Sequence, residues 1–301
     1  LAKSIKQIQK VCTSINKQPF HLKEISSEIE DLIEYEKRDY EPKIMGILNI
    51  TENLFSDGGR YTDTKKAIEH SLNMIKNGAD IIDIGAESTA PNREEIPYEI
   101  EIKRIEPIIK ELKKNDIKIS IDTRHSKTAE FAINLGVDII NDVSMMNFDK
   151  DMLNVIKNSD VEYCLCHSRG TPENMDKLAQ YKNVCDEIYQ ELSEKINFLI
   201  ENNIDKKRLI IDTGFGFAKN IEQNFELLSK ISEFNSLKIK TLAGVSRKRF
   251  LKSINENETD NLTMLVSFYL MQNKTDIIRV HDVSKTKLAK DLYQKIYLSA
   301  K

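Results

Sequence analysis

The sequence predicts an α/β chain folded as a closed (β/α)8 TIM barrel with an N-terminal helical extension, and three observations predict it. From Lys43 onward a short, apolar, β-branched run is followed by a polar loop and then an amphipathic stretch, eight times over. Short apolar runs bounded by turn residues are buried strands, and stretches with 3.6-residue periodicity are helices laid across them. No G-x-G-x-x-G follows the first strand, and the count of eight favours a barrel over an open doubly wound sheet, which remains the alternative. Third, glycines and polar residues gather after the C-terminal ends of the strands, the face where barrels build their sites.

Residues 1–42 read as an appendage of unknown role, a polar helical pattern without strand signals. Ile5, Ile8, Val11 and Ile15, then Leu22, Ile25, Ile29, Leu32 and Ile33, stand at helical spacing. The chain opens on Leu1 rather than Met, as a processed product or a piece of a longer protein would. The barrel takes residues 43–301. Its strands are predicted over 44–48, 80–84, 117–121, 137–140, 161–166, 209–211, 240–243 and 277–280. Helices are predicted over 64–76, 99–113, 127–135, 150–157, 183–201, 222–234, 261–271 and 285–298.

Composition bounds the function. At 40% hydrophobic and 31% charged the 301 residues are an ordinary soluble chain, and 45 basic against 48 acidic residues leave a net charge of −3. No global basic field exists to hold nucleic acid or an anionic membrane, so any anion site is local. No apolar run approaches the ~20 residues of a membrane helix, which makes the cytoplasm the default location. Four cysteines (Cys12, Cys164, Cys166, Cys185) do not make a disulfide framework in a chain this long. Ten glycines are about half of the roughly 21 expected at average usage. Seven of them (Gly58, Gly59, Gly85, Gly170, Gly214, Gly216, Gly244) fall at or just after predicted strand ends.

Asp122, Asn141 and Asp212 follow strands three, four and six and are expected to face one barrel mouth. Carboxylates and an amide carbonyl accept hydrogen bonds from a flat, N–H-rich ring, while an amide nitrogen or a lysine serves its carbonyls. That set fits a pterin or guanine-like heterocycle. Ser246-Arg247-Lys248 opens the seventh loop and Arg279-Val280-His281 closes the eighth strand, where barrels often hold phosphate. The bland alternative makes Asp122 and Asp212 helix N-caps and the basic triplet a solvated loop. Cys164-Leu165-Cys166-His167 has the elements of a zinc site. Strand alternation sends both cysteines to one side and His167 to the other, and no second cysteine pair exists, so core packing is the better reading. Lys206-Lys207-Arg208 reads as a solvated turn at the opposite end.

At these residues the sequence resembles the dihydropteroate synthases. The resemblance runs in order through Ile47-Leu48-Asn49-Ile50-Thr51, Phe55-Ser56-Asp57-Gly58-Gly59, Gly85-Ala86-Glu87-Ser88-Thr89 and Ile121-Asp122-Thr123. It continues through Ile140-Asn141-Asp142-Val143, His167-Ser168-Arg169-Gly170-Thr171-Pro172, Asp212-Thr213-Gly214-Phe215-Gly216-Phe217, Ser246-Arg247-Lys248 and Arg279-Val280-His281-Asp282. It implies a transferase of folate synthesis that joins hydroxymethyl-dihydropterin diphosphate to p-aminobenzoate. By family role, Asp122, Asn141, Asp212 and Lys248 hold the pterin, and Asn49 meets Mg²⁺ and diphosphate. Thr89, Arg279 and His281 hold the diphosphate. Phe55, Pro91, Phe217, Ser246 and Arg247 close on p-aminobenzoate, and Asp57 lies near the cation. Asp57, Phe55, Lys248, Arg279 and His281 carry the chemistry.

The resemblance also implies a homodimer and, in some organisms, fusion behind the pyrophosphokinase that makes the diphosphate substrate. Two loops depart from the family. Glu52-Asn53-Leu54 stands where Pro-Asp-Ser is usual, and Ala90-Pro91-Asn92 where Arg-Pro-Gly is usual, with Arg93 three residues on as the expected substitute. Three readings stay open at this point: an active synthase, a pterin barrel of the methyltetrahydrofolate type, and a degenerate barrel that binds without turnover.

Overall fold

The computed structural model describes residues 2–15, 22–50, 60–86, 96–171 and 173–298. By its internal contacts the chain divides into Leu1–Glu41 with Ser236–Lys238, and Pro42–Asn235 with Ile239–Lys301. In the first unit, helices α1 (Ala2–Ile15) and α2 (Leu22–Glu36) are amphipathic. They are tied by the Ser26 hydroxyl donating to the Cys12 carbonyl at 3.2 Å, with Cys12, Ser26 and Ile33 buried.

The second unit is a closed parallel barrel in which every strand pairs with its neighbours in sequence and β1 returns to β8. Its elements run β1 (Lys43–Asn49), α3 (Arg60–Lys76), β2 (Ile81–Gly85), α4 (Tyr98–Lys113), β3 (Ile119–Asp122), α5 (Ser126–Asn134), β4 (Ile139–Asp142) and α6 (Met152–Lys157). They continue with β5 (Glu162–Cys166), α7 (Val184–Glu201), β6 (Leu209–Asp212), α8 (Ile221–Ser229), β7 (Lys240–Ala243), α9 (Arg249–Lys252), α10 (Thr259–Gln272), β8 (Ile277–Val280) and α11 (Val283–Tyr297). The predicted eight repeats are present, so the barrel is the fold and the open sheet is not.

Two differences from the prediction matter. The helix expected over 222–234 stops at Ser229, where Lys230 leaves helical backbone, and a 3₁₀ segment Ile231–Leu237 buries Ile231 and Phe234 with three-residue spacing. Several strands also run further than predicted at their C-terminal ends. Asn49, Gly85, Asp122, Asn141, Asp142 and Asp212 belong to the ladder itself, with Gly85 opposite both Asn49 and Asp122, and Asp122 opposite Asn141. Polar residues placed on paired strands are held more rigidly than residues on loops.

The barrel interior shows why they gather there. Its floor is an apolar cluster of Met45, Ile81, Ile139, Cys164, Ile210, Leu242 and Ile277. Side chains alternate along a strand, so residues two places further on share the same face. Two places on from the last six stand Asp83, Asn141, Cys166, Asp212, Gly244 and Arg279. The interior therefore changes from hydrocarbon to polar or charged side chains within one step along β2, β4, β6 and β8.

Candidate active site

Arg279, from β8, crosses the mouth to β2 and β3. Its Nε donates to Asp83 Oδ2 at 2.6 Å and its Nη2 to Asp122 Oδ2 at 2.7 Å. Asp83 is fully buried. Asn141 Nδ2 approaches the same Asp83 oxygen at 3.4 Å. Among the described residues Asp83 Oδ1 has no hydrogen-bond partner. One guanidinium thus serves two buried carboxylates, and taking ions out of water is costly unless they are paired and bonded. Burial, reinforced by Asp83 against the pull of Arg279, pushes Asp122 up to about 7. Burial works against the charge of Arg279 too, but Asp83 and Asp122 hold it above its ordinary value. Asp83 was missed from sequence, although a carboxylate inside Ile81-Ile82-Asp83-Ile84 is itself a signal, since an apolar strand has no packing use for it.

On the other side of the mouth stand Asp212 and Lys248. Asp212 Oδ1 accepts the Gly214 N–H at 2.8 Å, and burial raises its carboxyl above the usual range. Burial and Arg279 lower Lys248. The Lys248 ammonium stands 4.4 Å from the centre of the Phe217 ring, within cation–π range. Gly216, at φ +80°, lets the lysine stem pass, because a Cβ there would come within 3.0 Å of Lys248 Cδ. Asp212 Oδ2 and the Arg279 side chain both lie within 4 Å of where a Gly244 Cβ would stand. Asp122, Asn141, Asp212, Lys248 and Arg279 therefore share one mouth, as expected.

His281 and Ser246 are paired. The His281 backbone N–H donates to Ser246 Oγ at 3.2 Å, so the hydroxyl hydrogen is free to donate to His281 Nδ1, 2.9 Å away. With the hydroxyl donating, Nε2 carries the imidazole proton. Burial, with Arg247 and Arg279, lowers the imidazole to about 4. His281 thus brings a neutral N–H donor to the rim. Arg247 is already paired. Its backbone is left-handed, at φ +58°, and its guanidinium forks onto Asp260 of α10 at 2.8 and 3.0 Å, so the side chain expected on the arylamine is already engaged. Arg208 is no solvated turn either, since it donates to the carbonyls of Ile156 and Val161 at 2.9–3.0 Å. Asn49 is exposed at the end of β1. Phe55, Asp57, Thr89 and Pro91, with Glu52, Asn53, Ala90 and Arg93, lie outside the described residues.

A family model described as pterin binding enzyme matches residues 45–281. The dihydropteroate synthase of Clostridium beijerinckii is 40% identical over 245 residues, covering 80% of this chain and 88% of its own length. The chain belongs to the dihydropteroate synthase family. It is accordingly a transferase of folate biosynthesis. The Clostridium difficile dihydropteroate synthase, solved in the presence of pteroic acid, superposes with a TM-score of 0.80 at 35% identity, over 86% of this chain and 99% of that one. The Yersinia pestis enzyme in a sulfonamide drug complex gives a TM-score of 0.79 at 30% identity, over 85% and 94%. A probable bifunctional folylpolyglutamate synthase/dihydropteroate synthase of Haloferax volcanii is 36% identical over 242 residues, which are 80% of this chain and 29% of that protein. Membership favours the synthase reading over the methyl-transfer one.

Proposed function

We propose that this mouth joins hydroxymethyl-dihydropterin diphosphate to p-aminobenzoate through a pterin methylene cation. The observation that carries the reading is the assembly of Asp122, Asn141, Asp212 and Lys248 around Arg279. The carboxylates of Asp122 and Asp212 accept from pterin N–H groups, Asn141 pairs with either kind of ring edge, and Lys248 donates to a ring carbonyl. Binding the ring supplies the donors that the excess carboxylates lack. The methylene C–O bond then breaks with its electron pair leaving on diphosphate. Arg279, through the guanidinium nitrogen not bonded to Asp83 or Asp122, and His281, through Nε2–H, stabilise the charge that develops there. The arylamine nitrogen attacks the cation and loses a proton to solvent, with Phe217 and Ser246 beside it. Asp57, from the first loop, is the family's counterpart for the cation.

Asn49 fits a magnesium ion brought with the diphosphate, because it is an exposed, hard oxygen donor at a strand end, and Mg²⁺ commonly takes one or two protein ligands beside phosphate and water. Bound there, the ion would draw charge from the leaving group. The same reading makes the protein a cytoplasmic enzyme, supplied by a pterin pyrophosphokinase, fused or separate, and inhibited by sulfonamides. Its four cysteines are free and buried, and no described helix is long and apolar enough to cross a membrane. It also makes the protein a homodimer through α10 and α11, whose Leu265, Leu288 and Leu292 are 60%, 64% and 53% exposed. Sedimentation of the protein and of Leu288→Asp tests that arrangement.

The central test is incubation with the pterin diphosphate, p-aminobenzoate and Mg²⁺. Dihydropteroate and diphosphate are expected in equal amounts. Tight pterin binding with no adduct would overturn the reading and leave a binding barrel.

A further inference from the structure

The reaction makes no use of a chain of polar and charged side chains beside the ends of β5 and β6, in which Lys219 and His167 are buried. Lys219 is only 2% exposed, and burial lowers it to about 7 against the pull of Cys166, Asp212 and Glu191, yet its ammonium has a full set of partners. It donates to the Gly214 carbonyl at 2.9 Å and to the Phe217 carbonyl at 2.9 Å, and it stands 3.1 Å from His167 Nδ1. Three N–H donors meet three acceptors. An ammonium can only donate, so His167 Nδ1 must accept and its Nε2 must carry the proton. That N–H meets Glu191 Oε2 on α7 at 2.9 Å, and Glu191 is held in turn by Arg169, whose Nε donates at 3.0 Å. Burial keeps the imidazole neutral, lowering it to about 4, and Glu191 stays ionised at about 2 against burial through His167 and Arg169.

What this chain holds is the β6–α8 loop. Within five residues Gly214, Gly216 and Ala218 all take left-handed backbone, at φ +71°, +80° and +46°. A Cβ at Gly214 would lie 1.9 Å from the His167 carbonyl, so the loop is wrapped tightly against the end of β5. The carbonyls of Gly214 and Phe217 turn toward Lys219, and a buried carbonyl without a donor is unfavourable. Lys219 supplies that donor to both. The second is the carbonyl of Phe217, the residue whose ring meets Lys248.

We propose that Lys219 is a positioning residue: its ammonium, oriented by the His167–Glu191–Arg169 relay, clamps the loop so that the Phe217 ring stays on Lys248 and forms a wall of the arylamine site. This rests on the synthase reading above for the identity of the second substrate. Lys219 touches neither substrate. It selects for the arylamine through Phe217, while the pterin keeps its own contacts at Asp122, Asn141 and Asp212.

Steady-state kinetics of the full chain on Lys219→Met, Phe217→Ala and the double variant test this, alongside pterin binding by calorimetry and hydrogen exchange of the amides of residues 214–218. Lys219→Met is expected to raise KM for p-aminobenzoate about tenfold, with kcat and pterin affinity within threefold of the parent. In the Phe217→Ala background the same change is expected to add less than twofold, because its route of action is already gone. Loop amides are expected to exchange faster while the strands do not. An unchanged arylamine KM, full additivity with Phe217→Ala, or a fall in kcat and pterin affinity as large as the KM change would overturn the proposal. If Lys219→Met does not fold, Lys219→Gln, which retains two donors, is expected to give a smaller change of the same kind, and its absence would count against the proposal. A parent protein that makes no dihydropteroate defeats the synthase reading alone. Loop exchange then decides for Lys219, with unchanged exchange in the variant overturning it.

Discussion

The two ends of this barrel use the same residue types in opposite ways. At the foot, where the strands begin, Asp80, Asp138 and Asp276 accept the backbone N–H groups of Ile44, Ile119 and Thr241 at 2.8, 2.8 and 2.9 Å. Lys290 reaches Asp80 at 3.0 Å and Lys113 reaches Asp138 at 3.2 Å. Glu162 sits between Lys118 and Lys240, which together outweigh burial and hold its carboxyl below its ordinary value. At the mouth, two buried carboxylates share one guanidinium, one oxygen of Asp83 has no described partner, and Asp122 is pushed up to about 7. The foot satisfies its charges within the chain. Among the described residues the mouth leaves a buried carboxylate oxygen without a donor, and buried polar groups are seldom left in that state without a function. The end that needs a ligand is thus distinguishable from the end that needs none.

The largest effect expected from this contrast comes from removing the cation at each end. Arg279→Met leaves Asp83 and Asp122 buried without a counter-charge, so unfolding in urea should show a loss of about 3–5 kcal/mol, and turnover should fall about 100- to 1,000-fold. Lys290→Met, at the foot, removes a buried cation from Asp80 and should lose about 1–3 kcal/mol, yet keep kcat within about twofold of the parent, the charge change lying far from the transition state. Equal losses of activity would erase the distinction between the ends.

Next comes Asp122→Asn. Loss of a charged hydrogen bond, about 1.5–3 kcal/mol, should weaken pterin binding about 10- to 100-fold in calorimetry. Stability should stay level or rise, because one of two like charges has been removed from a buried site. Parallel losses of binding and stability would make Asp122 a structural residue like those at the foot.

The pH dependence of the two ends should run in opposite senses. The folded state raises Asp122 from 3.8 to about 7, so its protonated form is favoured by folding. That contribution is complete below about pH 4 and is lost as pH rises through 7. Pterin affinity should therefore strengthen from pH 6 to pH 8 as the carboxylate forms, and Asp122→Asn should flatten the profile. Glu162, lowered in the folded state, contributes stability above its ordinary value of 4.5 and loses it as the pH falls below that. Glu162→Gln gives the smallest effect. It should remove that acid-side loss at a cost of about 1 kcal/mol or less at pH 7, measured by urea unfolding, with kcat unchanged.

Much of the mouth was legible from residue order. Asp122, Asn141, Asp212, Lys248 and Arg279 were each placed by their position after an apolar run, and all five meet at one end. Asp83 was passed over because it stands inside such a run, one step before the rim, where strand alternation turns it inward. Arg247 and Ser246 were assigned by adjacency to Lys248. Backbone conformation at Arg247 turns its guanidinium onto Asp260, and His281 pairs with the Ser246 hydroxyl, and neither influence is visible in the order of residues.

The sequence by itself determined the eightfold strand–helix repeat, the parallel barrel it implies and the end at which the site stands. Those properties depend on local periodicity and on which residues follow each strand, both written along the chain. Only the tertiary structure decided which charges are shared. Barrel closure brings Arg279 to Asp83, 196 residues earlier in the chain, and the packing of β5, α7 and the β6–α8 loop joins Lys219 to His167 and Glu191. Protonation in a buried site depends on distance and on lost hydration, and those exist only once the strands have closed.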